Sequence, residues 1–298
     1  MKHWPLFAVI VLLLTAALIW SEVTKPEAHV GPESILNLIA DSQRELMRLP
    51  VAFAPLPDAE EIDIGRQLEQ SYGNLFELTS DEDRAIEAYV QKVGAFEAAH
   101  AYRKLPYRFH YVPSLNFVNA FALPGGVVSI GGGLLSMLET EDELAGVLGH
   151  EIEHIDRYHC AERIQIEAAL HRMPAGELVA LPVEVFFAGY SKSQELEADR
   201  EGVKLAVISG YSPQGAIQLF ETFERFKPER RVRAGSPQEE LSTIALQGLL
   251  GYFRSHPSNT ERIDQIRKMI ADGQLPDRPT KRIEFKPAAL SKRVELNR

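Results

Sequence analysis

Glu141–Cys160 reads EDELAGVLGHEIEHIDRYHC, and the rest of the chain is organised around this stretch. Thr140 and Glu143 predict a capping box that starts a helix. Leu144, Val147, Leu148, Ile152 and Ile155 recur at helical spacing and predict a buried stripe along it. Within that helix His150-Glu151-Ile152-Glu153-His154 forms an HExxH pattern. Residues four apart stack one turn above the other, so the two imidazoles converge. Two neutral imidazoles at that separation suit a divalent transition metal, zinc before others. Glu151 flanks the ion without taking the same position, which is where a general base is wanted.

Two histidines leave a tetrahedral ion open at two positions, one for a third protein ligand and one for water. The segment Glu195-Leu196-Glu197-Ala198-Asp199 supplies the best remaining candidates. Glu195 and Asp199 are one turn apart on a helix expected from Ser193 to Ile208. That spacing suits a ligand carboxylate beside a second carboxylate that holds a histidine N–H from outside. Glu197 points half a turn away and reads as a solvent or salt-bridge residue. Taken alone, the same segment also describes a charged, exposed helix.

Composition narrows the class. The chain has 298 residues with 45% apolar content, enough for a sizeable core in one or two domains. The net charge of −10 and the lack of a basic, aromatic-laced stripe argue against nucleic acid as a partner. Cys160 is the only cysteine, so no intrachain disulfide forms, and its expected role is close packing. At the start, Lys2 and His3 precede an apolar run from Pro5 to Trp20 with Trp4 and Trp20 at its ends. This predicts an uncleaved signal anchor in preference to a removed signal peptide, and an exported domain either way.

The domain organisation expected is a signal anchor or signal peptide at 1–21, a linker with an amphipathic helix at 22–57, a folded domain at 58–275 and an extended tail at 276–298. Asp58 is expected to cap the first helix of the domain, with Glu61 in the return position. Ser80 is expected to cap the second. Tyr107–Val112, Phe117–Leu123 and Val127–Ile130 read as strands, with Pro124-Gly125-Gly126 as a tight turn. The HExxH helix is expected to continue past Ala169. The fold class is therefore α+β, mostly helical, with a small sheet beside the HExxH helix.

HExxH followed by a distant Glu-x-x-Ala-Asp resembles the HtpX and CAAX-prenyl-endoprotease family of zinc peptidases (M-48), which includes the BepA-like enzymes. Asn119–Gly126, Gly210-Tyr211-Ser212-Pro213, and His256-Pro257 followed by Glu261-Arg262-Ile263 resemble further parts of that pattern. Lys192 departs from it, since many relatives carry arginine there, which puts a forked contact at that position in doubt. The resemblance implies a zincin-like metallopeptidase with one zinc held by His150, His154 and Glu195, and Glu151 as base. It also implies His256 as a donor to the developing oxyanion or as a gate over the ion. Asn119, Ala120, Phe121, Gly125 and Gly126 would line an extended substrate that adds to the sheet as a strand. The implied task is hydrolysis of unfolded or misfolded envelope proteins by a domain anchored to the inner membrane and facing the periplasm, or exported in soluble form. Two other readings are a noncatalytic, metal-containing chaperone or adaptor of the same fold and an amidase acting on small molecules. A binding module has no use for a base beside the metal, and Glu151 is present.

Overall fold

The described part of the chain, residues 56–171, 189–225, 260–276 and 278–287 of a computed structural model, begins with α1 (Asp58–Ser71). The expected Asp58 capping box is not made. Pro57 holds the N-cap position without a side-chain cap, and Glu61 is buried instead. Its carboxylate accepts from the buried Arg103 guanidinium at 2.6 Å and from the Gly125 amide at 3.1 Å, while Asp58 also takes Arg103 at 2.6 Å. A buried guanidinium left without acceptors costs more than an exposed helix end without a cap, so both carboxylates turn to Arg103.

α2 (Asp81–Ala98) starts at Ser80 with a full capping box to Asp83, and Ile86, Tyr89, Val90 and Val93 form its buried side. Next come β1 (Arg108–Val112), β2 (Ala120–Leu123) and β3 (Val127–Gly131). They form a mixed sheet in the order β1-β3-β2, with β1 parallel and β2 antiparallel to β3. β3 is central and buried at every position, which fits its Val-Val-Ser-Ile sequence. The β2–β3 turn needs its glycines. Gly125 and Gly126 have φ of +73° and +102°, and a Cβ on Gly125 would come within 2.6 Å of the Ile62 Cα on α1.

α3 (Gly132–Met137) leads to α4 (Glu141–Asp156), the HExxH helix, which starts at the Thr140–Glu143 capping box. The expected stripe is only part of what α4 buries, because nearly every residue from Asp142 to Asp156 is enclosed. α2, the sheet, α6 (Lys192–Ile208) and α7 (Gln214–Arg225) all pack against it. Leu144, Leu148, Ile152 and Ile155 are fully buried, each contributing roughly 1.5–3 kcal/mol of burial. The helix does not run on past Ala169. It stops at Arg157, and Tyr158, with φ of +63°, turns the chain into α5 (His159–His171). A β-carbon in that left-handed region is unfavourable, so the turn is held by its surroundings.

α6 begins one residue earlier than expected, behind a Ser191–Gln194 capping box. It meets α4 at two glycines. A Cβ on Gly149 would lie 2.9 Å from the Gly202 carbonyl oxygen, and one on Gly202 would lie 2.8 Å from the His150 nitrogen. α8 (Thr260–Ala271) packs on α6 and α7. Residues 278–287 then lie along the start of α4. The Glu141 amide donates to the Lys281 carbonyl at 2.8 Å, Arg282 bridges Thr140, and Lys286 Nζ donates to the Leu138 carbonyl at 2.6 Å. The expected anchor at 1–21, the amphipathic helix before Pro50 and His256 lie outside the described residues. Among the described residues no helix is long and apolar enough to cross a membrane.

Candidate metal centre

The glycine contact between α4 and α6 brings one face of each helix together, and the sequence puts its titratable residues there. His150 and His154 point their Nε2 atoms at one another, 3.0 Å apart. Glu195, from the first turn of α6, places Oε2 3.6 Å from the His150 nitrogen and Oε1 3.6 Å from the His154 nitrogen. One ligand atom from each of the three residues lies within 4.8 Å of the others, and all three side chains are buried. Among the described residues no other group of three His, Cys, Asp or Glu side chains converges this closely.

The outer contacts fix what the inner atoms present. Asp199 Oδ1 lies 2.9 Å from His150 Nδ1, one turn beyond Glu195 on the same helix face. A carboxylate accepts, so His150 Nδ1 carries the proton and Nε2 turns a lone pair inward. Asp199 itself is gripped by Arg262 through two nitrogens, Nε on Oδ2 and NH2 on Oδ1 at 2.7 Å. Arg262 NH1 reaches Glu195 Oε2 at 3.0 Å. Burial alone would raise the Asp199 carboxyl, but the Arg262 charge and the bonds from Arg262 and His150 outweigh it and hold it well below the usual range.

This donor set fits a divalent cation. Imidazole lone pairs and the two Glu195 carboxylate oxygens crowd one buried point, with separations of 3.0–3.6 Å. Donors about 2 Å from a tetrahedral ion stand about 3.3 Å apart, so those separations match. Among the described residues the Glu195 and Asp199 carboxyl groups share the guanidinium of Arg262, so a cation would also improve the local balance. His150, His154 and Glu195 could therefore hold a metal ion.

The family model described as Peptidase family M48 matches residues 80–270. The chain belongs to this family. Among curated M48 relatives it is 29% identical to the metalloprotease YcaL of Escherichia coli over 171 residues, 53% of this chain and 60% of that one. It is 29% identical to the mitochondrial metalloendopeptidase OMA1 of Arabidopsis thaliana over 153 residues, 49% of this chain and 28% of that one. It is 26% identical to the beta-barrel assembly-enhancing protease of Escherichia coli over 209 residues, 63% of this chain and 41% of that one. The matched stretch thus spans 28% to 60% of the length of these relatives.

Next to His150 on α4, Glu151 is buried as well. Asn119, Ala120 and Phe121 are buried in and just before β2, the strand that packs directly on α4. Gly125 and Gly126 sit instead in the turn against α1, where their missing side chains have a structural reason. Lys192, the departure from the family pattern, pairs with Glu261 at 2.5 Å, and the forked contact comes from Arg262.

Three features escaped the sequence reading. Arg262 enters there only as part of the Glu261-Arg262-Ile263 resemblance, with no role assigned, although it shares a face with Ile266 and Met269, both buried. An arginine in an apolar register is a signal that it meets buried carboxylates. Gly149 and Gly202 each interrupt a helical pattern, and a glycine inside a helix calls for a packing reason. His159 is buried with its ring against His154, a contact that no local pattern around it announces.

Proposed function

We propose that this chain is a zinc-dependent endopeptidase that hydrolyses extended polypeptides in the cell envelope. The convergence of His150, His154 and Glu195 at one buried point, with Glu151 next to the first ligand, carries this reading. Bound at these three side chains, zinc would lower the pKa of a water and polarise the scissile carbonyl. Glu151 would take the water's proton and return it to the leaving amine. Asp199, backed by Arg262, keeps the His150 ring in the tautomer that faces the ion. His256 is proposed as a further donor to the developing oxyanion or as a gate over the ion.

β2 lies against the metal helix, which is where an extended substrate backbone would run beside Asn119, Ala120 and Phe121. Such a mode tolerates many sequences but requires an unfolded segment, which suits misfolded proteins. The apolar run from Pro5 to Trp20 and the likeness to a protease named for β-barrel assembly support an envelope location. The test uses the full chain, with bound zinc and cleavage of an unfolded protein as readouts. Glu151→Gln is expected to keep its metal and lose at least about a hundredfold in rate, and Glu195→Ala to lose both. Cleavage by Glu151→Gln at the wild-type rate would reject the mechanism.

A further inference from the structure

His150 has a carboxylate behind it, and His154 has a different partner. After α4 ends, the left-handed turn at Tyr158 brings His159 back under the helix. His159 Nδ1 comes to 3.0 Å from His154 Nδ1, five residues on, a distance in sequence that an unbroken helix does not place on one face. The His159 ring is buried, and its Nε2 lies 3.4 Å from Glu197 Oε2 on α6. Glu197 is the carboxylate that the helical spacing sets half a turn from the metal face. Tyr190 stacks flat on His154 with ring centres 3.8 Å apart, so the edges of that ring are left for its bonds.

The protons on this chain follow from its end. Glu197 Oε2 lies 3.4 Å from His159 Nε2 and a carboxylate accepts, so His159 Nε2 carries the hydrogen. A neutral His159 then has its lone pair on Nδ1, and His154 Nδ1–H donates to it. His154 Nε2 is left with its lone pair facing His150 and Glu195.

We infer that His159 and Glu197 are positioning residues, a relay that sets the tautomer and ring plane of His154 and so presents its Nε2 to the metal. The inference rests on the metal centre proposed above. The unfavourable backbone at Tyr158 acquires a purpose, because it is what delivers His159 to His154.

The test is zinc affinity of the full chain, measured by competition with a chromophoric chelator, with cobalt(II) spectra as a second readout. His159→Leu fills much of the ring's space without an acceptor, whereas His159→Asn is smaller but keeps an acceptor at the δ position. His159→Leu is expected to weaken zinc binding ten- to a hundredfold and to alter the cobalt bands, and His159→Asn to stay within about threefold of wild type. A role in packing alone predicts the opposite order, so a larger loss for His159→Asn, or none for His159→Leu, overturns the relay. If His159→Leu does not fold, Glu197→Ala at its half-exposed position decides. A severalfold loss of affinity supports the relay, and an unchanged affinity overturns it. A wild-type chain that takes up no metal overturns the metal centre itself.

Discussion

Arg262 and Asp199 form a forked ion pair in the protein interior, with side-chain exposures of 1% and 4%. The arginine comes from α8 and the aspartate from α6, and Phe220 of α7 lies under the guanidinium at 4.9 Å. One side chain thus ties three helices together behind the candidate metal centre. Arg262→Ala would leave Asp199 and Glu195 as buried carboxylates without their shared cation. The expected cost is about 3–5 kcal/mol in urea unfolding of the metal-free chain. Arg262→Lys should recover only part of it, because an ammonium group cannot make the fork.

The α4–α6 crossing predicts a coupled loss. Gly202→Ala would put a Cβ 2.8 Å from the His150 nitrogen and force the helices apart. Stability should fall by about 1–3 kcal/mol, and zinc affinity should fall with it because Glu195 rides on the helix that moves. Chelator competition and urea unfolding on the same variant check the coupling, and a stability loss with unchanged zinc affinity would argue against it.

Glu97 on α2 gives a pH dependence. It faces Gly149, is fully buried, and neither carboxyl oxygen has a hydrogen-bond partner among the described residues. Burial, then the charge of Glu153, push its carboxyl well above the ordinary 4.5. The folded chain therefore keeps a proton that the unfolded chain has lost, and stability falls as pH rises above about 4.5 until the folded carboxyl ionises. Glu97→Gln removes this titration. Between about pH 5 and pH 8 the variant's unfolding free energy should fall less steeply, by up to about 1.4 kcal/mol per pH unit. Equal slopes would mean that Glu97 ionises in the folded chain as it does in water.

Cys160 should be inert in the folded chain. Its thiol is buried beside the Tyr190 hydroxyl at 3.3 Å, and burial pushes its pKa up to about 12. Alkylation by iodoacetamide at neutral pH should occur only after unfolding, read by mass spectrometry. Rapid native labelling would contradict the packing described around α5.

What the sequence made legible was local. The Thr140 and Ser80 caps, the HExxH helix and the three strands follow from patterns that lie within a few residues of one another. Pairing Glu195 with two histidines some forty residues earlier came from the resemblance to the M-48 pattern, since the segment alone also describes a charged, exposed helix. What stayed hidden depended on tertiary competition. Asp58 and Glu61 make a plausible capping box until a buried Arg103 claims both carboxylates. The α4–α5 break has no proline or glycine to announce it, since the left-handed residue is Tyr158. The partners of Arg262 and His159 come from other helices, so nothing local to either residue names them.

The segment along the start of α4 bears on how the domain can be trimmed. Lys281, Arg282 and Lys286 hold the end of the helix opposite to the one that carries His150 and His154, and Asp142 accepts from both the Ser212 and Lys281 amides. A fragment ending where the family match ends, at residue 270, would leave that helix without its strap. The smallest piece worth expressing should therefore extend through Lys286.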